Sequence, residues 1–255
     1  MNKKSIFFDI DGTLPLRSLH TIRKYVKSLM KRGVVFGINT SRPFSEAEKI
    51  HKELNLNGPI IAEDGAEYRA AIGTRKITMP DVLPINEMVI RFLSRNGGMG
   101  SYVLKIAKDK RIIRAAKDPT IIVTPHRKFT SSIYVRRHSQ ESDYDIARVK
   151  RRISDFLKHE GARAYVKRCG KGKLVAGNAT QNRISTLEYV AKRHLSSYDV
   201  LMVSDCEDAA AIGKSAIAFA SVKNATDQYA KKCALHAPYR GAKGIIFLIN
   251  EFLHI

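Results

Sequence analysis

A chain of 255 residues with 44% hydrophobic content can bury one large core, or a main domain carrying a smaller one. No apolar run approaches the ~20 residues that cross a bilayer as a helix. The two early lysines are followed by a short apolar stretch that runs straight into acids, which is unlike a signal peptide. The charge is lopsided, with 45 Lys+Arg against 24 Asp+Glu and a formal net charge of +21. That balance bears on partners and solubility and points to anionic ones, small phosphorylated molecules or a larger polyanion. Cys169, Cys206 and Cys233 are odd in number and far apart. They form neither a disulfide framework nor a zinc pattern, and a reducing cytoplasm with no membrane association is expected. Cys206 is expected to be a buried, inert thiol.

The opening apolar run Ser5-Ile6-Phe7-Phe8 reads as a buried strand that ends in Asp9-Ile10-Asp11-Gly12-Thr13. Side chains alternate along a strand, so Asp9 and Asp11 leave on the same side. Two carboxylates so close are costly unless a cation or a shared proton relieves their repulsion. The simpler alternative is a strand end with two solvated aspartates. Residues 18–31 then read as an amphipathic helix, with Leu19, Ile22, Val26, Leu29 and Met30 at helical spacing. Gly33 closes it, and 34–38 is a short buried strand. That strand leads into Asn39-Thr40-Ser41-Arg42-Pro43 and a helix through Ala47, Ile50 and Leu54. A strand–hydroxyl–helix junction suits a phosphate, because helix N-terminal N–H groups point at the anion. Thr40 or Ser41 acting only as a helix cap is an equal alternative. Asn57-Gly58-Pro59-Ile60-Ile61-Ala62-Glu63-Asp64-Gly65 follows as a turn, a strand and an acidic glycine turn.

From about residue 83 to 177 the texture changes. Helices are predicted at 85–93 and 144–159, and strands at 102–107, 111–115, 132–136, 163–166 and 174–176. Hairpin-like pairs broken by two helices describe an inserted α+β module, not further βαβ winding. This segment holds 22 Lys+Arg and 8 Asp+Glu, against 23 and 16 elsewhere. Arg136, Arg137, Lys167, Arg168, Lys171 and Lys173 form one candidate basic patch. Gly170-Lys171-Gly172-Lys173 lacks the spacing of a P-loop.

The chain then returns to α/β texture. A helix is expected at 186–194, a buried strand at 199–203 and an acidic terminus at Ser204-Asp205-Cys206-Glu207-Asp208. A helix from Ala209, a strand at 216–220 and a last helix through 245–252 complete it. Alternating strands and helices on both sides of the insert favour a mainly parallel, doubly wound core. In such a sheet the strand ends carrying Asp9, Asp11 and Asp205 share one edge, where ligands bind.

Asp9-Ile10-Asp11-Gly12-Thr13 resembles the DxDGT signature of haloacid-dehalogenase-superfamily phosphatases. Thr40-Ser41-Arg42-Pro43 resembles that family's second motif. The stretch from Asn57 to Gly65 resembles the Cof-type branch and archaeal phosphoglycolate phosphatases, with Asp64 where many relatives have Asn. The resemblance covers nearly the whole chain. It implies an α/β fold: a doubly wound, mainly parallel, Rossmann-like core formed by residues 1–82 and 178–255, with an inserted α+β C2-type cap at 83–177. It also implies Mg²⁺-dependent hydrolysis of a small phosphorylated metabolite, of the phosphoglycolate or sugar phosphate class. Asp9 would attack phosphorus and Asp11 would serve as acid and base. Thr40 and Ser41 would bind phosphate, and Asp9, Asp11, Asp205 and Asp208 would hold the metal. Two motifs depart from the pattern. The third-motif lysine slot falls on Arg183, which keeps a phosphate-binding charge with a different reach. The fourth motif keeps Asp205, puts Asp208 in an Asn slot and has Ala209 where the last acid is usual. These departures leave open a weakly active or inactive protein whose basic cap holds RNA, a ribonucleoprotein or another polyanion.

Overall fold

The computed structural model describes residues 3–71, 73–95, 103–106, 120–124, 126–136, 143–169, 172–206, 212 and 215–254. The chain divides into two compact units, Met1–Met79 with Asn182–Ile255, and Pro80–Gln181.

The first unit opens with β1 (Lys3–Phe8), α1 (Leu19–Met30), β2 (Val35–Asn39), α2 (Phe44–Leu54), β3 (Ile60–Ala62), β4 (Glu67–Arg69) and β5 (Ile77–Thr78). The second holds α3 (Ile85–Arg95), β6 (Val103–Ile106), β7 (Thr120–Val123), β8 (Ser131–Arg136), α4 (Asp143–His159), β9 (Ala164–Arg168) and β10 (Lys173–Asn178). The chain then rejoins the first unit through α5 (Arg183–His194), β11 (Tyr198–Ser204), β12 (Ala218–Ser221), α6 (Asp227–Ala230), β13 (Leu235–His236) and α7 (Gly241–His254).

In the first unit the strand order among the described residues is β13-β12-β11-β1-β2-β3-β4-β5. The run from β13 to β3 is parallel, and β4 and β5 add antiparallel at one edge. Ile6, Phe7 and Phe8 are wholly buried, as befits a central parallel strand covered on both faces. Leu19, Ile22, Val26 and Leu29 form the stripe that seats α1 on this core, and the Phe8 and Phe36 rings stack at 5.9 Å. β1 lies between β2 and β11, so successive crossovers leave it in opposite directions. Its C-terminal end is therefore the switch point where open α/β sheets form a crevice.

The second unit is a five-stranded sheet ordered β6-β7-β8-β10-β9, with α3 and α4 against one face. Ile133, Val135, Leu174 and Ala176 point to those helices. The cross-strand pairs Tyr134–Lys173 and Val175–Lys167 place Arg136, Lys167 and Lys173 on the opposite face. Arg148, Lys150, Arg151 and Arg152 ride on α4, on the helix side. The basic excess is thus divided between two sides of this unit. Arg137 and Lys171, and the strand expected at 111–115, lie outside the described residues.

Three local differences from the sequence expectations have physical causes. β7 escapes a reading by alternation because Ile121, Ile122 and Val123 are an unbroken apolar run, all buried. β4 and β5 are too short to show a period. α5 starts at Arg183 and not at 186, because Asn182 caps it. The Asn182 side chain accepts from the Ile184 and Ser185 N–H groups, and its own N–H donates to Ser185 Oγ.

Candidate active site

Asp9 follows β1 while still on the sheet ladder, its N–H donating to the Val203 carbonyl at 3.0 Å. Its side chain is 6% exposed. Oδ1 accepts from the Ile10 N–H at 2.7 Å, and Oδ2 lies 2.7 Å from Arg183 Nη1. A carboxylate this buried requires both hydrogen bonds and an opposite charge. The asparagine cap on α5 sets Arg183 as the first helical residue, beside the end of β1.

Asp11 differs sharply from Asp9. Its side chain is 61% exposed and gripped by the fork of Arg42, with Nη2–Oδ1 at 2.5 Å and Nε–Oδ2 at 2.9 Å. That bond to Asp11 is the main reason the Arg42 guanidinium is held above its ordinary pKa. Arg42 also reaches Glu46 at 3.4 Å. Thr40 is wholly buried, and its hydroxyl accepts from the Arg42 N–H at 3.3 Å, while Ser41 is half-buried. The N-cap position of α2 is Pro43, which offers no side-chain bond.

Asp205 follows β11 and packs on the Gly12 backbone so tightly that a Cβ there would stand 2.0 Å from Asp205 Oδ2. Its carboxyl is pushed up to about 6, first by burial and next by the charge of Asp9, with Arg183 opposing. The negative charge of Asp9 is thus felt at Asp205. Oxygen donors carrying excess negative charge suit a hard divalent cation, so the residues present fit Mg²⁺. Among the described residues no group of three or more His, Cys, Asp or Glu side chains is gathered at metal-binding distance. Asp208 lies outside the described residues.

The sheet edge thus brings together Asp9, Asp11, Thr40, Arg183 and Asp205. Sequence reading missed four further participants: Arg42; Asp64, whose Oδ1 is 3.9 Å from Arg183 Nε; Asn39, whose Nδ2 donates to the Arg183 carbonyl at 3.1 Å; and Asn224, whose Nδ2 donates to the Gly12 carbonyl at 2.7 Å. Arg42 and Asn39 sit within a motif already singled out, whereas Asn224 is 212 residues from its partner and leaves no local signal. Cys206 is exposed, contrary to expectation, because it follows the strand end at the mouth of the crevice. Its carbonyl accepts from Arg183 Nη2 at 3.1 Å. No helix among the described residues is long and apolar enough to cross a membrane.

The fold is shared widely among solved structures. A Thermoplasma acidophilum protein, 0175, superposes with a TM-score of 0.70 at 15% identity, covering 100% of both chains. A haloacid dehalogenase-like hydrolase from Bacteroides thetaiotaomicron gives 0.68 at 15%, covering 98% of this chain and 99% of that one. The subclass IIB sugar phosphatase BT4131 gives 0.65 at 14%, covering 99% and 100%. At these identities the likeness is one of fold. No curated protein sequence matches the chain. The haloacid dehalogenase-like hydrolase family model matches residues 6–165, and with the switch-point crevice and its acidic strand ends this shows that the chain belongs to that family.

Proposed function

We propose that the protein is an Mg²⁺-dependent phosphomonoesterase that works through an aspartyl-phosphate on Asp9. The observation that carries this is the pairing of a nearly buried Asp9 carboxylate with Arg183 at 2.7 Å, at the switch point of the sheet. An attacking oxygen needs to be held and partly desolvated; the ion pair holds it and its burial removes water. Asp9 Oδ attacks phosphorus in line as the ester oxygen leaves with a proton from Asp11. Water then attacks the acyl phosphate, giving its proton back to Asp11 and releasing phosphate and free Asp9. Acting in both steps requires Asp11 to leave the Arg42 fork. Asp11 is 61% exposed there, so water takes over from the fork as the carboxylate swings away.

The Asp9 and Asp205 carboxylates and the Asp11 main-chain carbonyl would hold Mg²⁺, with Asp208 a further candidate ligand. When bound, the ion supplies charge neutralisation for an anionic nucleophile approaching an anionic ester. Thr40 and Ser41 would bind the phosphoryl oxygens, and Arg183 would contribute its positive charge beside them. Residues 83–177, within the unit Pro80–Gln181, would serve as a C2-type cap domain to a core of residues 1–82 and 178–255. A small phosphorylated metabolite is the substrate class this reading favours, supported by the fold shared with the sugar phosphatase BT4131. Three cysteines, odd in number and far apart in the sequence, accord with a cytoplasmic setting.

The direct test is release of phosphate from an aryl phosphate and a panel of sugar phosphates and phosphoglycolate, with and without Mg²⁺. Asp9→Asn should remove turnover to background. A wild type no faster than Asp9→Asn on every ester would overturn the reading.

A further inference from the structure

The guanidinium of Arg183 spans three strand ends. Nη1 lies 2.7 Å from Asp9 Oδ2, Nη2 donates to the Cys206 carbonyl at 3.1 Å, and Nε lies 3.9 Å from Asp64 Oδ1. Asp64 reaches this position by an uncommon backbone path. Glu63 and Asp64 have φ of 48° and 55°, followed by Gly65 at 93°. Non-glycine residues avoid that region, and two in succession persist only where their surroundings over-determine them. Here the surroundings do so. The Glu63 N–H donates to the Arg42 carbonyl at 2.9 Å, and Thr186 Oγ1 donates to the Gly65 carbonyl at 2.8 Å. A Cβ on Gly65 would stand 2.5 Å from the Asn182 carbonyl oxygen, so only glycine lets this turn press on the start of α5. The turn of α5 that it meets is the one that begins with Arg183.

We propose that Asp64 is a positioning residue, which holds the Nε side of Arg183 so that Nη1 stays on the Asp9 carboxylate. The inference rests on the reading of Asp9 as the attacking group. Tolerance of a left-handed turn alone would explain Asp, Asn or Gly at this position equally well. It does not explain why the strained turn delivers a carboxylate to a guanidinium that already serves Asp9. The Nη1 ion pair and the Nη2 bond to the Cys206 carbonyl fix one edge of the guanidinium, and the plane can still pivot about that edge. A second anion on the Nε side removes that pivot, because the guanidinium is planar and its donors are fixed relative to one another.

Asp64→Asn keeps the size and the turn preference and removes the charge. With an aryl phosphate and Mg²⁺, kcat should fall about tenfold while KM stays within about twofold, the pattern of a lost transition-state arrangement. In an Arg183→Lys background the same change should alter kcat less than about twofold, since a lysine offers Asp64 no second side to hold. A readout independent of turnover comes from ¹⁵N-arginine labelling. The Arg183 Nε–H resonance, assigned by its loss in Arg183→Lys, should be sharp and slow to exchange in the wild type and broadened in Asp64→Asn. An unchanged resonance in Asp64→Asn, or an equal loss of kcat in both backgrounds, overturns the proposal. If the wild type hydrolyses no ester while the resonance still broadens in Asp64→Asn, the Asp9 reading falls and the Asp64–Arg183 pairing stands.

Discussion

Gly12→Ala tests the fit between the two acidic strand ends. Gly12 has φ +75°, where an L side chain costs about 1–2 kcal/mol. The added methyl would also stand 2.0 Å from Asp205 Oδ2 and 2.4 Å from its Cγ. The Asp205 side chain must swing away by an ångström or more, while the Thr226 N–H keeps its main-chain carbonyl in place at 3.1 Å. Crowding of this kind adds about 1–3 kcal/mol, for a total near 3 kcal/mol. For a protein of this size that is a fall in Tm of roughly 6–12 °C. The assay is thermal unfolding by circular dichroism of four proteins: wild type, Gly12→Ala, Asp205→Ala and the double variant. With the Asp205 carboxylate removed only the backbone part should persist, so Gly12→Ala should cost about half as much in that background. An equal cost in both backgrounds, or a Tm within about 2 °C of wild type, would refute the packing argument.

Two further outcomes follow from the same core. His51 is 2% exposed, and its Nε2 lies 2.9 Å from the Gly58 carbonyl, so the neutral ring must carry its proton on Nε2. Burial lowers its pKa below the ordinary value of 6.5. The unfolded chain then takes the proton first, and stability falls as pH drops below about 6.5, by at most about 1.4 kcal/mol per pH unit from this group. Urea unfolding of His51→Gln, which keeps a donor but does not titrate, should show a shallower loss between pH 6.5 and 5; an unchanged slope would count against the assignment. Asn182→Ala removes the α5 cap and should cost about 1 kcal/mol in chemical denaturation. A cost near zero would mean that the Gly65 contact alone sets the helix start.

Much of this architecture is legible locally. The apolar run before Asp9, the stripe of α1 and the strand–hydroxyl–helix junction at Thr40 each follow from alternation, helical period and turn chemistry within a dozen residues. Arg183 was reachable because it can be counted back from an acidic strand end. Pairings across the sheet edge are different, since nothing near Asp11 says that Arg42 will grip it, and nothing near Asp64 says that it faces Arg183. The same holds for the basic residues of the second unit. Their number is plain in the chain, but cross-strand register decides that Arg136, Lys167 and Lys173 lie opposite the helix carrying Arg148 to Arg152.

By itself the amino-acid order determined the class of fold, the acidic strand ends and the family they resemble, because strand ends and helix starts are written in short-range periodicity and in the turn residues beside them. The tertiary structure alone decided the state of each charge. Asp9 and Asp11 are two residues apart, yet one is nearly buried against Arg183 and the other exposed in the fork of Arg42. That difference comes from which loops the parallel sheet brings to its C-terminal edge, and from how far each carboxylate is removed from water there.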